Sequence, residues 1–202
     1  MKRILFDDAE IAEHGDFNAI GEHAMAAADA IINDAIGYPA HWAAFTVAQK
    51  SAQEVTVSVG RYLAGDKVYS QDGEVDINLQ VYIPIAPSDE RWVALILRGE
   101  EVTVAANRNF ETSEDPETSI PVNRATPKRL ERRVSIVVQQ GNAAPPPALK
   151  PAIAETDACI AMVLLKTTGV TTIEPGERWR AKSLFEVEGR LTGVEINLEG
   201  LF

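Results

Sequence analysis

The sequence predicts an α+β fold in which a long N-terminal helix packs on an antiparallel β-sandwich or barrel-like body, and a C-terminal heptad helix serves assembly. Three patterns predict this class: helical spacing near the start, alternation through the middle, and heptad spacing at the end. They divide the chain into an N-terminal helical arm (1–41), a β-rich body (42–141), a proline-rich linker with a strand pair (142–178) and an oligomerisation helix (179–202).

The N-terminal helix is predicted over about residues 17–36. Its apolar residues recur at spacings of three and four, which places them on one face: Phe17, Ile20, Ala24, Ala27, Ala28, Ile31, Ile32 and Ala35. Asp16 can accept hydrogen bonds from the free N–H groups of the first turn. Gly37 followed by Pro39 is a stop signal.

The middle of the chain predicts strands. Val55, Val57 and Val59 alternate with polar residues, the pattern of a half-buried strand. Further strands are predicted over residues 42–48, 77–85, 91–98, 133–140, 158–166 and 170–173. Residues 107–128 are polar and contain three prolines, so we expect an extended excursion that a partner or a neighbouring copy orders.

The C-terminal segment carries apolar residues at alternating spacings of three and four, which is an a/d heptad seam. Fewer than three heptads and three glycines would leave such a helix marginal alone, so it needs its own body or sister copies to lie on. The predicted oligomerisation residues are Leu184, Val187, Leu191, Val194, Leu198 and Leu201.

The overall composition excludes several classes of function. The net charge of −11 argues against nucleic acid binding, because phosphate contacts need cations. No stretch approaches the ~18 apolar residues of a membrane helix, so no membrane contact is predicted. The single cysteine, Cys159, lies in an apolar run and is predicted to be a buried small hydrophobe.

The sequence offers no recognisable catalytic, metal or cofactor motif. His14, His23 and His41 lack the spacing of a zinc helix, and there is no nucleophile elbow, phosphate-binding loop or dinucleotide fingerprint. We therefore expect a protein that is not an enzyme and binds no metal or cofactor. Paired carboxylates of a glycosidase stay an open alternative, although the acids cluster in polar loops.

One basic cluster interrupts this acidic chain. It is a candidate docking patch for an acidic neighbour, because complementary charge orients partners, and the alternative is a solvated strand with local ion pairs. Its residues are Arg124, Lys128, Arg129, Arg132 and Arg133.

The order of elements resembles the N-terminal attachment region of tail-fibre and baseplate proteins of contractile-tailed bacteriophages. The similarity is carried by Phe6-Asp7-Asp8, by residues 15–18, 42–47, 65–69 and 158–163, and by the terminal heptads. The resemblance implies a β-rich body that docks on the baseplate and a helix that begins an oligomeric shaft, often of three copies. No receptor-binding tip follows, which leaves an attachment adaptor or a wedge-type subunit.

The resulting hypothesis is a structural virion protein of a phage tail, assembled in the host cytoplasm. The expected partners are copies of the chain, as a trimer, and other baseplate or tail-fibre proteins. A carbohydrate- or peptide-binding β module and a tail-associated hydrolase are the alternatives; an aromatic-lined concave face would support the former.

Overall fold

A computed structural model describes residues 14–36, 40–110 and 122–182, and strands account for 53% of it. The strands are β1 (Ala40–Ala43), β2 (Val47–Gln49), β3 (Glu54–Val57), β4 (Gly60–Ala64), β5 (Lys67–Gln71), β6 (Val75–Asn78), β7 (Glu90–Phe110), β8 (Val122–Gln140), β9 (Cys159–Lys166) and β10 (Gly169–Pro175). The described α-helix is α1 (His14–Ile36), and a 3-10 turn covers Gln80–Tyr82.

Seven strands form one curled sheet in the order β1-β4-β5-β8-β7-β9-β10. The pairings are antiparallel except that of β5 with β8. The chain after β10 returns to β1: the Trp42 N–H donates to the Trp179 carbonyl at 2.8 Å, and the Ala181 N–H donates to the Trp42 carbonyl at 2.7 Å. These bonds place residues 179–181, shortly after β10, beside β1 at the other end of the sheet.

A smaller sheet of three strands, in the order β2-β3-β6, is antiparallel throughout. Val55 and Val57 of β3 are fully buried, whereas Thr56 between them faces Asp76 of β6 and donates a hydrogen bond to it at 2.6 Å. The alternation predicted at Val55 and Val57 is therefore confirmed, because one face of the small sheet closes over the apolar interior of the large one. Its predicted continuation to Val59 is wrong, since β3 ends at Val57 and Val59 is 46% exposed.

The hydrophobic core lies inside the curl and takes side chains from both sheets. β7 supplies Val93, Leu95 and Leu97, all with no exposed surface. The other large, fully buried members include Trp42, Leu79, Ile160, Val163 and Leu165. Cys159 is buried and unpaired, as predicted, and burial raises the pKa of its thiol.

The predicted α+β class is wrong, since the chain is mostly β and its large sheet is curled. α1 covers the segment where helical spacing was found, but it does not form a layer on a sandwich. Its apolar residues Ile20 and Ile31 are 48% and 68% exposed, so the apolar face is not buried in the core. The heptad residues 184–201 lie outside the described residues.

Two predicted strands also end differently. The strand predicted over 42–48 is interrupted at Ala44, whose φ of 68° turns the chain from β1 in the large sheet to β2 in the small one. The strand predicted over 77–85 stops at Asn78, because the 3-10 turn begins at Gln80. In both places a backbone turn overrides an apolar pattern.

Candidate assembly interface

The most distinctive feature is the β7–β8 hairpin, which extends beyond the rest of the large sheet. β9 stops pairing with β7 at Ile96, and β5 pairs with β8 at the single position Ser70–Arg133. β7 and β8 nevertheless stay paired from Gly99–Val134 to Phe110–Val122. This outer part of the hairpin, residues 99–110 and 122–134, is called the ribbon below.

The ribbon corrects the expected polar excursion over residues 107–128. β7 continues to Phe110, and β8 begins at Val122, so residues 107–110 and 122–128, half of that segment, are strand. Pro127 is accommodated beside a register shift at which Val104 faces Arg129 and Ala105 faces Pro127. The extra residue there, Lys128, makes a β-bulge, which is a position where a strand tolerates proline.

At its root the ribbon packs closely against the body. The ring of Tyr69 in β5 lies over Gly99, and a Cβ added at Gly99 would come within 2.4 Å of that ring. Only a residue without a side chain leaves room for the ring at this position. Along β7, Val102 and Val104 are half-buried, while Thr103 and Ala105 on the opposite face are exposed.

A network of ion pairs connects α1, β5 and the two strands of the ribbon. Arg132 donates from Nη1 to Asp29 Oδ2 at 2.6 Å and from Nε to Glu101 Oε1 at 3.1 Å. Lys67 Nζ donates to Glu101 Oε2 at 2.7 Å, and the Val68 N–H donates to Asp29 Oδ1 at 3.2 Å. We call Asp29, Arg132, Glu101 and Lys67 the root clamp.

The electrostatics of the root clamp favour its charged form. Hydrogen bonds from Lys67 and then Arg132 hold the pKa of Glu101 below its ordinary value. Burial of Arg132 acts to lower its pKa, but the hydrogen bonds to Asp29 and Glu101 outweigh it, and the net shift is upward. Asp29 is 7% exposed, so α1 is attached to the ribbon root through a nearly buried charge pair.

A second group of charges lies on the other face of β8. Glu131 forms ion pairs with both Arg129 and Arg133, and its pKa is lowered chiefly by the hydrogen bond from Arg133. These side chains line a polar cleft of about 690 Å³ together with residues 70–75. The buried Gln71 at this cleft has a side-chain oxygen that accepts no hydrogen bond from any described residue.

All five residues of the predicted docking patch lie on β8. Arg129 and Arg133 are exposed on one face with side chains 62% and 55% accessible. Arg132 points to the opposite face and is engaged by Asp29 and Glu101. The side chains of Arg124 and Lys128 lie outside the described residues, as do all six heptad residues. The patch therefore divides between two faces of one strand, and whether it docks a partner stays a prediction.

Sequence reasoning missed the acidic half of the root clamp. Asp29 and Glu101 are far from Arg132 along the chain, and nothing local marks them as its partners. By helical spacing Asp29 lies on the face opposite the apolar residues, together with Glu22 and His23, where a solvated charge is expected. No local signal therefore indicates that Asp29 is buried against the ribbon root.

A groove of about 820 Å³ opens near the end of the described chain. Its lining includes Trp42, Phe45, Ile160 and Ile173. The rings of Trp42 and Phe45 are only 2% and 5% exposed, so they offer no stacking face to a sugar. The aromatic-lined concave face that would support the carbohydrate-binding alternative is thus not found in this groove.

A smaller pocket of about 310 Å³ lies between α1 and the large sheet, lined by Ile32, His41 and Tyr62 among others. His41 is buried, and burial lowers its pKa. Its Nδ1 has no hydrogen-bond partner within the part of the chain that the structure describes. Within residues 14–36, 40–110 and 122–182, no group of three or more His, Cys, Asp or Glu side chains is placed to hold a metal ion.

Among the described residues, no helix is both long and apolar enough to cross a bilayer.

Comparison with known proteins gives no family for the chain, since no family model, no curated protein and no solved structure matches it.

Proposed function

We propose that the chain is a structural subunit that self-associates within a phage-type tail, as a baseplate or tail-fibre attachment piece. The observation that carries the proposal is the ribbon, a two-stranded arm that continues beyond the strands flanking it. Function on this view lies in contact surfaces between copies and with neighbouring tail proteins.

A two-stranded ribbon in water is at most marginally stable. Each strand pairs along one edge, and the N–H and carbonyl groups along its other edge bond only to solvent. Proteins usually shorten, cover or charge such edges, since exposed edges recruit further strands. Here the ribbon is long, and among the residues that the structure describes no strand lies beside the outer edge of β7 from Gly99 to Val104. An arm of this kind is typical of proteins that complete their sheets with other chains.

Exposed apolar side chains on the body add a second kind of contact. Val81 lies in the 3-10 turn and is 80% exposed, and Ile85, four residues later, is 98% exposed. Leu149 is 84% exposed. Ile31 on α1 is 68% exposed. Burying such side chains against a neighbour is favourable by about 25 cal/mol per Å² of apolar surface.

The placement in a tail rests on the sequence resemblance. It supplies the virion location, the baseplate or tail-fibre neighbours, the three-copy assembly, and the choice between adaptor and wedge subunit. The ribbon supports only the more general part of the proposal, which is self-association.

Sedimentation velocity on the full chain over a wide concentration range tests self-association. We expect a discrete species at a multiple of the 22.0 kDa monomer mass. A single 22.0 kDa species at every concentration would refute self-association. Mass spectrometry of purified tail particles from a producing culture tests the location separately, and absence of the chain from those particles would refute the tail assignment.

A further inference from the structure

We propose that copies of the chain join head to tail by edge pairing of their ribbons, with β7 of one copy adding to β8 of the next. This inference rests on the proposed self-association and specifies its geometry. The pairing would extend the antiparallel order β7-β8 from copy to copy and satisfy backbone groups that the single chain leaves to water.

The backbone geometry shows which groups are available. The Leu97 N–H donates to the Ala158 carbonyl at 2.9 Å, on the side of β7 away from β8. Successive residues of an antiparallel strand point their N–H groups to opposite sides. The N–H groups of Gly99, Glu101 and Thr103 therefore face this same outer side, where no strand of the described chain lies.

The outer edge of β8 follows from the same register. Leu130 is directly opposite Thr103 across the ribbon. Residues opposite each other belong to the same kind of pair, so the N–H and carbonyl of Leu130 also point outward, away from β7. The pairing with β5 occurs at Arg133 and does not reach Leu130, whose side chain is 50% exposed.

Charge makes the two edges complementary rather than alike. The β7 side of the ribbon, residues 99–110, contains two acidic residues and one basic residue. The β8 side, residues 122–133, contains five basic residues and one acidic residue. Glu101 and Arg132 are already joined in the root clamp, and Glu131 pairs with both Arg129 and Arg133. Among the described side chains, the charge that can act on a neighbour is therefore Glu100 on β7 and the net positive group of Arg129, Glu131 and Arg133 on β8. Like charges directly opposite destabilise strand pairs, whereas opposite charges stabilise them. β8 against β8 is therefore disfavoured, and β7 against β8 is favoured.

A contact between unlike edges has a consequence for symmetry. It is heterologous, so each copy keeps one edge free after binding, and the chain of contacts ends only when a ring closes. The expected species is accordingly a ring of three or more copies. A symmetric dimer would require two like edges to meet.

Single prolines can block each edge separately. Proline removes one N–H, and it is tolerated in a strand where that N–H faces away from the neighbour. Thr103→Pro blocks the β7 edge and Leu130→Pro blocks the β8 edge, while neither removes an N–H from the β7–β8 ladder. Thr103→Ala and Leu130→Ala keep the N–H groups and are the matched controls. Circular dichroism of each variant checks that the sheet is retained.

The test is sedimentation of the four variants beside the unchanged chain. We expect both proline variants to be monomers alone, both alanine variants to assemble as the unchanged chain does, and an equimolar mixture of the proline variants to give a capped 1:1 dimer. That dimer forms because each proline variant supplies the edge that the other lacks.

The outcomes separate the two proposals. If the unchanged chain is a monomer, self-association itself is refuted. If it assembles but the folded proline variants assemble equally well, edge pairing is refuted and self-association stands. If one proline variant still forms a dimer alone, or the unchanged chain stops at a dimer, the contact joins like edges and the head-to-tail arrangement is wrong.

Discussion

The substitution Asp29→Asn tests whether the root clamp attaches α1 to the ribbon. Asp29 Oδ2 accepts from Arg132, and Oδ1 accepts from the Val68 N–H, while the carboxyl is almost fully buried. Asparagine has nearly the same shape and keeps an oxygen for the Val68 N–H. It removes the negative charge and places an NH₂ group or an uncharged oxygen beside Arg132.

The expected loss follows from the burial of the pair. Removing one partner of a buried ion pair costs about 3–5 kcal/mol, whereas exposed pairs are worth about 0.2–1 kcal/mol. Arg132 has a side chain 16% exposed and keeps Glu101 at 3.1 Å, so it is not left without a counter-charge. We therefore expect Asp29→Asn to lower the free energy of unfolding by about 2 kcal/mol. Asp29→Ala should cost about 1 kcal/mol more, because the Val68 N–H loses its acceptor.

Two measurements check this expectation. Urea unfolding at one fixed protein concentration gives the change in stability, and hydrogen exchange at the Val68 amide reports the contact itself. Asp72→Asn is the control, since Asp72 pairs with Arg61 while 76% of its side chain is exposed, and it should change stability by less than about 0.5 kcal/mol. If Asp29→Asn and Asp72→Asn are equally mild and the Val68 amide exchanges unchanged, the clamp does not hold the helix.

Three further outcomes are expected of the same chain. Gly99→Ala should lower stability by about 1–3 kcal/mol in urea unfolding, because its Cβ would overlap the ring of Tyr69. The pKa values of Glu101 and Glu131 are lowered from 4.5, so their stabilisation is present above pH 4.5 and is lost as the pH falls through the lowered values. Unfolding midpoints measured from pH 7 to 2 should therefore decline below pH 4.5, and less steeply in Glu131→Gln. Leu95→Ala, at a fully buried site, should cost about 2–5 kcal/mol in the same unfolding assay.

The sequence predicts those strands that have a buried face. The alternation at Val55 and Val57 and the apolar runs at 91–98 and 158–166 correspond to β3, the inner part of β7, and β9. In each case burial against the core imposes a period of two or a continuous apolar run. Cys159, predicted to be a buried small hydrophobe, is likewise buried, and so are Trp42 and Trp92.

The strand structure of the ribbon was not predicted from the sequence, because the ribbon is not covered by the core. Exposed strands need no apolar period, and a polar segment with prolines has the composition of a loop. Its strand structure comes from cross-strand hydrogen bonds between residues that are distant in the sequence, since Gly99 and its partner Val134 are 35 positions apart. The root clamp is equally hidden, since Asp29 and Arg132 are separated by 103 positions.

The core packing of β7 and its proposed edge contact involve different parts of the strand. Val93, Leu95 and Leu97 belong to the core, whereas beyond Gly99 no described side chain of this strand is fully buried. Substitutions at Thr103 therefore remove no core packing. A loss of assembly with the sheet intact can be assigned to the ribbon edge, and an unfolded variant would instead mean that the body depends on the ribbon, contrary to the separation drawn from burial.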